Sequence, residues 1–303
     1  MDRLQLMAVF VAVVEEQGFA GAARRLNMSP PAVTRAVAAL EQHLGIKLLN
    51  RTTRYVRVTD AGQRYFDDVR RIIAEVEAAD DAAVGVNATP RGHLAVTAPL
   101  LFGKLYVMPG IVEYLQRYPD MQVSAVFLDR VVNLLEEGLD VGIRIGALPD
   151  SSLRAVRVGA IRRVVCAAPS YLAAHGMVLH PDALRGHSIV AASAVTPVAD
   201  WKFADGQVVR VTPRLTVNSN DAAIAAVLSG YGITRLLSYQ IAPYLASGQL
   251  QTILTDYEPE PLPIHIIHRE GHSASAKVRT FVDLMVARLR GDVALAYEAV
   301  LRP

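Results

Sequence analysis

Residues 24 to 45 read RRLNMSPPAVTRAVAALEQHLG, and the residue types in that run define a chemistry. Ser29 is a good helix N-cap and Pro30 a good first helical residue, because proline lacks the N–H that has no partner there and already has its φ set. Pro31 removes a second donor, so Ser29 is expected to satisfy only the N–H of Ala32, leaving a small apolar surface at the helix tip. Beyond it, Val33, Val37, Leu40 and Leu44 recur at helical spacing, which turns Pro31, Thr34, Arg35 and Ala38 outward. A short helix exposing small residues and one arginine is shaped to enter a groove about 12 Å wide, the major groove of duplex DNA.

Charge supports the same chemistry once it is divided along the chain. Residues 1 to 66 hold nine Lys/Arg and five Asp/Glu, a net +4, which leaves −2 for the rest of a chain whose total is +2. No acid lies between Glu41 and Asp60, whereas Lys47, Arg51, Arg54 and Arg57 all do. Such a surface suits phosphates, although charge alone describes a solvated basic face equally well.

Further along, three segments could hold an anion, since free N–H groups gather at helix starts and ligands sit at the carboxyl ends of strands. They are TAPLLFG with Pro99, Leu100, Leu101 and Phe102, IRIG with Arg144 to Gly146, and VNSNDAA with Asn218, Ser219 and Asn220. A small carboxylate with an apolar or aromatic body fits them, its charge held by Arg144 or by a helix N-terminus. Arg144 in a structural ion pair is the other reading.

Other chemistry is weaker. His265 and His268 are three apart on an expected strand and point to opposite faces, a poor metal pair. The single cysteine, Cys166, rules out an internal disulfide and lies in the apolar run RVVCAAP, so it is expected in a core. No phosphate-cradling glycine loop and no GxSxG elbow occur, so no enzyme, metal or cofactor is expected. Glu136-Glu137 reads as a solvated helix edge and Trp201 as core.

The elements that would position these residues can be placed. A helix from about Asp2 to Gly18, capped by Asp2 with Gln5, carries Leu4, Met7, Val11 and Val14 on one stripe. A second covers about Gly21 to Leu26 and ends at Asn27, and the link to Ser29 is short enough for a tight helix-turn-helix. Gly45 ends the third helix, and IKLLNRTTRYVRVT alternates like a two-stranded hairpin. Thr59 then caps a long helix in which Tyr65, Val69, Ile72, Val76, Ala79, Ala83 and Val86 form a heptad seam. That seam can meet a partner helix or pack on its own domain.

A hinge follows in GVNATPRG, near residues 85 to 92. Strands and helices then alternate in a parallel-sheet rhythm: HLAVTAP, a helix from about Gly103 to Arg117, QVSAVFL, a helix around Val131 to Glu137, and DVGIRIG. RRVVCAA, HSIVAAS, an Asp205-Gly206 turn and NSNDAAIAAVLSGYGI continue as a second unit. LPIHIIHR and a helix from about Ser275 to Arg290 return to the first.

Residues 10 to 62, FVAVVEEQGFAGAARRLNMSPPAVTRAVAALEQHLGIKLLNRTTRYVRVTDAG, resemble the winged helix-turn-helix of LysR-type transcriptional regulators. Residues 129 to 176 are similar to the CrgA-like subgroup, so the resemblance spans nearly the whole chain. The resemblance implies a multidomain fold: a winged helix-turn-helix at 1–58, a linker helix at 59–88, and an α/β effector domain at 89–303 shaped like type 2 periplasmic binding proteins. Its lobe I would take about 89–161 and 265–303 and its lobe II about 162–264.

Carried onto this chain, the family's DNA contacts fall on Ser29, Pro30, Pro31, Thr34, Arg35, Arg51, Thr53 and Arg54. Its effector pocket falls on Pro99, Leu100, Leu101, Phe102, Arg144, Gly146, Thr196, Asn218, Ser219 and Ile233. Many members have Ser or Thr where this chain has Leu100 and Leu101, which implies a more apolar site. Family members pair two chains through the linker helix, so the implied partners are duplex DNA with an inverted-repeat operator, a small-molecule effector and a second copy, as a homodimer or homotetramer.

No run of about 18 uncharged apolar residues and no basic export signal is seen, so a cytoplasmic protein without membrane contact is expected. The rival class is an α/β enzyme or transport-type binding protein whose first helices only pair chains.

Overall fold

The computed structural model describes residues 1–51, 56–84, 89–149, 153–192, 200–269 and 274–296. The chain divides into two compact units that part after Ala88.

In the first unit, α1 (Arg3–Glu15), α2 (Phe19–Arg25) and α3 (Pro30–Leu44) precede the short strands β1 (Leu49–Arg51) and β2 (Val56–Val58) and the long helix α4 (Asp60–Val84). The cap on α1 is reciprocal: the Gln5 N–H donates to Asp2 Oδ1 at 2.8 Å and the Asp2 N–H to Gln5 Oε1 at 3.2 Å. The expected stripe of α1 is displaced. Leu4 is exposed and Val11 and Val14 only half-buried, while Val9, Phe10, Ala12 and Val13 are buried with Met7. The helix is apolar almost all round, so its sequence marks no single face and packing chooses one. Phe10 lies 5.8 Å from Tyr65 and 6.5 Å from Phe66 between ring centroids. A buried ring of that size contributes about 1.5–3 kcal/mol.

Asn27 takes the left-handed φ of 51° that ends α2, as its place before the turn implies, but α1 ends through Gln17 at φ 52° rather than at Gly18. Strands β1 and β2 pair antiparallel from Leu49↔Val58 to Arg51↔Val56. Thr59 caps α4 through its hydroxyl, which accepts from the Gly62 N–H at 2.9 Å. A Cβ on Gly62 would collide with the Leu48 carbonyl oxygen, so only glycine lets α4 start this close to the wing.

The first turns of the expected seam serve the unit's own core. Val69 is buried there with Phe66, and Tyr65 and Ile73 pack against them, because α4 leaves the wing directly over α1. Ile72 is 40% exposed. The side chains of Ala79 and Ala83, and Val86 itself, lie outside the described residues.

The second unit contains two five-stranded sheets. Lobe I has the order β4 (Met121–Phe127), β3 (Gly92–Ala98), β5 (Val141–Ile145), β14 (Leu262–His268), β6 (Arg154–Ile161). Lobe II has β11 (Pro213–Val217), β8 (Ile189–Ala192), β12 (Ile233–Leu237), β7 (Arg163–Ala167), β13 (Gln251–Ile253). The sheets are mixed rather than parallel throughout. β3 runs parallel to β4 and β5, and β8 to β11 and β12, but β14 opposes β5 and β6, and β7 opposes β12 and β13. The reversals are the strands by which the chain changes lobes: only Arg162 separates β6 from β7, and β14 begins at Leu262, ahead of residue 265. An ion pair, Arg162 to Glu258 at 3.4 Å, joins the two crossings.

Two helix expectations in lobe I change. The first helix starts earlier, as α5 (Leu100–Phe102), continues through a π segment (Gly103–Val107) and ends as α6 (Met108–Arg117). Pro109 cannot donate to the preceding turn, and the Phe127 ring occupies the place that a Gly103 Cβ would take. No helix spans residues 131 to 138; residues 134 to 138 form turns, with the Asn133 side chain accepting from the Leu135 N–H at 3.0 Å.

In lobe II the Asp205-Gly206 turn is observed, with φ 55° and 74°, joining β9 (Asp200–Lys202) to β10 (Val208–Arg210). Helices α7 (Pro169–His175), α8 (Asn220–Leu228) and α9 (Ser238–Ala246) belong to this lobe, and α10 (Ala276–Arg290) follows β14. Trp201 is buried in the lobe II core and Cys166 is fully buried on β7, where burial pushes its thiol up to about 12. Among the described residues no helix is long and apolar enough to cross a membrane.

Candidate functional site

Helix α3 presents its tip as the sequence implies. Val33, Ala36, Val37 and Leu40 are buried, Ser29, Pro30, Pro31, Arg35 and Ala38 are exposed, and Thr34 is half-buried. The capping differs in detail. The N–H groups of Ala32 and Val33 donate to the Ser29 carbonyl at 2.9 and 3.1 Å, and the Ser29 side chain makes no capping bond. Two prolines leave Ala32 as the first free N–H, and the backbone carbonyl takes it, so the hydroxyl faces outward. Arg35 has no hydrogen-bond or ion-pair partner among the described residues.

The anchor behind this helix is Glu41, 3% exposed. Its Oε1 accepts from the Leu48 and Leu49 N–H groups at 2.9 and 3.1 Å, and its Oε2 from Lys47 Nζ at 2.6 Å. The carboxylate thereby fixes the wing's first strand to the end of α3. Lys47 is thus paired within the chain, which reduces the free charge of that basic stretch, while Arg57 is exposed. The Arg51 side chain, Thr53 and Arg54 lie outside the described residues.

Within the second unit a cleft of about 300 Å³ opens between the lobes. Lobe I contributes Pro99, Asp129, Arg130 and Arg144, and lobe II Arg163, Asn220, Tyr239 and Gln240. Asp129 joins the walls: its Oδ1 accepts from the Leu100 N–H at 2.9 Å and its Oδ2 from Asn220 Nδ2 at 3.2 Å. Aromatic rings meet across the same boundary, Tyr239 standing edge-on to Phe102 at 5.4 Å and to Tyr106 at 5.9 Å. Burial pushes the Tyr239 hydroxyl above its ordinary range, so it remains a neutral donor.

The cations of the cleft differ in their partners. Arg130 forms a two-pronged ion pair with Glu137 at 2.7 and 2.8 Å. Arg144 donates to the Val132 carbonyl at 2.8 Å, and burial lowers its pKa against the opposing Glu137 charge. Arg235, in an adjoining lobe II pocket that Arg163 also lines, donates to the Lys202 carbonyl at 3.1 Å and lies 5.0 Å over the Trp201 ring. Arg163 has burial pulling its pKa down and no hydrogen bond or ion pair among the described residues.

Residues 4–63 match the bacterial regulatory helix-turn-helix protein, lysR family, and residues 87–290 match the LysR substrate binding domain. The chain is a LysR-type transcriptional regulator. It is 35% identical over 291 residues to an HTH-type transcriptional regulator of Xanthomonas campestris pv. campestris, covering 94% of this chain and 85% of that one. With the regulator CrgA of Neisseria meningitidis it shares 32% identity over 290 residues, 95% of this chain and 97% of CrgA. The solved CrgA structure superposes with a TM-score of 0.61 at 32% identity over 95% and 99% of the two chains, which supports the CrgA-like subgroup. A full-length variant of AphB superposes at 0.64 with 25% identity over 94% and 99%.

The LysR-type regulator therefore binds DNA through its N-terminal unit, is not an enzyme, and has that binding modulated by a small molecule taken into its C-terminal cleft. Of the residues the sequence offered for that cleft, Pro99 and Arg144 line it, and Leu100 lends its N–H to Asp129. Leu101 and Phe102 are buried, the latter beneath Tyr239. Gly146 bonds its N–H to the Pro263 carbonyl at 2.8 Å and is not among the lining residues. Ser219 accepts from the Ala222 N–H as the cap of α8, and Asn218 is exposed, so Asn220 is the residue that reaches the cleft. Ile233 is fully buried in lobe II, where its place in the middle of the sheet gives it no route to the cleft. Thr196 lies outside the described residues.

Sequence reasoning missed Asp129, Arg163, Tyr239 and Gln240. A charged residue heading an apolar strand, as Arg163 does in RVVCA, was the one available signal.

Proposed function

We propose that this regulator reads an inverted-repeat operator as a homodimer joined through α4, with a pair of dimers as the larger form, and that its effector is a small carboxylate held partly by Arg144. Acting on a promoter, it works in the cytoplasm. Ser29, Pro30, Pro31, Thr34 and Arg35 form the groove-reading tip, and Arg51, Thr53 and Arg54 grip the backbone from the wing. Arg35, exposed, without a partner among the described residues and beside a proline tip, carries this reading, because a guanidinium so placed can bond a guanine edge in the major groove. Ile72, exposed on a helix with charged flanks, supports pairing through α4.

The test is binding of the purified protein to its own upstream intergenic DNA and to a scrambled duplex across a salt series. Preferential binding that weakens steeply with salt is expected, since each phosphate contact releases counterions. Arg35→Ala should weaken specific binding by about 1–3 kcal/mol and leave binding to the scrambled duplex nearly unchanged. Equal losses on both duplexes would show that Arg35 touches only backbone. Light scattering separates dimer from tetramer, and unchanged effector binding in Arg144→Ala would remove its assigned role.

A further inference from the structure

The walls of the cleft are not electrically balanced. Arg130 is matched by Glu137, and the carboxylate of Asp129 is engaged by Leu100 and Asn220. Two guanidinium groups of the cleft remain, Arg144 on β5 and Arg163 on β7, and a third, Arg235 on β12, lines an adjoining lobe II pocket that shares Arg163, Asn220 and Gln240 with the cleft; none has a carboxylate within ion-pair distance among the described residues. Against the one charge of Asp129 this leaves a surplus of +2.

Two of these cations are neighbours. Leu237 pairs directly with Arg163 across β12 and β7, and Arg235 lies two residues along the same strand from Leu237, so both guanidiniums occupy one face of the lobe II sheet. Each is desolvated, and the charge of Arg163 further lowers the pKa of Arg235. Like charges in a partly dry site disfavour the empty cleft and favour whatever brings compensating charge. Arg144 belongs to the facing lobe, so the surplus is divided between two walls.

We infer that the effector is a small dicarboxylate, one carboxylate seated on Arg163 and Arg235 of lobe II and the other reaching Arg144 of lobe I. This rests on the reading of the cleft as a carboxylate site and deepens it, adding the ligand's charge and two positioning residues. The Tyr239 ring lines the cleft, backed by Phe102 and Tyr106, and gives the carbon chain an aromatic wall.

The experiment is calorimetric titration of the full-length protein with succinate, glutarate and adipate, with butyrate, valerate and hexanoate as monocarboxylates of matched length, and with inorganic phosphate. At least one dicarboxylate should bind about tenfold or more tightly than its monocarboxylate match, and Arg163→Gln should erase that advantage while Arg163→Lys retains part of it. Variant integrity is read from undiminished salt-dependent DNA binding. Equal binding of the matched monocarboxylate, equal binding of phosphate, or an Arg163→Gln protein that still prefers the dicarboxylate would each overturn the inference. If monocarboxylates alone bind and Arg144→Ala abolishes it, the carboxylate reading survives without this one. If nothing in the panel binds, both fall.

Discussion

Glu41 is a buried acid whose removal should detach the wing from the recognition helix. Glu41→Ala leaves the Leu48 and Leu49 N–H groups without the acceptor that now holds them at 2.9 and 3.1 Å. A buried donor stripped of its partner costs about 1–3 kcal/mol, so the pair together should lose about 2–6 kcal/mol of local stability. Lys47 contributes much less, because its side chain is 74% exposed and such pairs give about 0.2–1 kcal/mol. Hydrogen exchange resolved to the Leu48 and Leu49 amides reads these differences directly. At 1.4 kcal/mol per factor of ten, Glu41→Ala should speed exchange about 30- to 20,000-fold, and Lys47→Ala no more than about fivefold.

The pH dependence has a definite sign. Burial pushes the Glu41 carboxyl up, but Lys47 and the two amides outweigh it and hold it below the ordinary value. A carboxylate depressed in the folded state contributes stability that is whole above its unfolded pKa of about 4.3 and is lost as pH falls through the lower folded value. Exchange at Leu48 and Leu49, corrected for intrinsic rates, should therefore accelerate only in that acid window, and the Glu41→Gln protein should lack the transition. Lys47→Ala matching Glu41→Ala, or slow exchange surviving in Glu41→Ala, would refute the reasoning.

Three further outcomes follow from particular contacts. Ser29→Ala should change thermal stability by less than about 0.5 kcal/mol, against about 1 for a cap with a side-chain bond, yet weaken operator binding in an anisotropy titration. Gly62→Ala forces a methyl into the Leu48 carbonyl and should cost about 1–3 kcal/mol, visible as faster proteolysis at the start of α4. Cys166, with its thiol pushed up to about 12 and its side chain buried, should resist a thiol-reactive chromophore at pH 8 until the chain is unfolded.

What the sequence disclosed depends on how locally each feature is determined. Ser29, Pro30, Asn27 and Gly45 act on their own backbone, and the helix-turn-helix they punctuate stands where they imply. The buried face of α1 was hidden because Leu4, Val9 and Val11 look alike until a core selects among them. The mixed sheets were hidden because strand direction follows from where the chain changes lobes, and nothing within RVVCA or LPIHIIH records that. For the cleft, Pro99 and Arg144 were legible from their place at element ends. Asp129 and Asn220 are 91 positions apart, and Arg163 has meaning only once β12 brings Arg235 alongside. Glu41 stood in the sequence only as the edge of the acid-free stretch, since a contact with backbone N–H groups leaves no complementary residue to reveal it.

The two lobes are joined at two crossings, one through Arg162 and the other through Glu258, pinned together at 3.4 Å. Tethers of this kind resist sliding and separation but offer little resistance to twist about the line on which they lie. Any message the cleft sends is therefore an angle: displacement is smallest beside Arg162 and grows with distance from it, so the far rim of each lobe acts as the long arm of a lever. A ligand that shifts the walls slightly at Arg144 and Arg163 would move surfaces remote from the tethers by more than it moves itself.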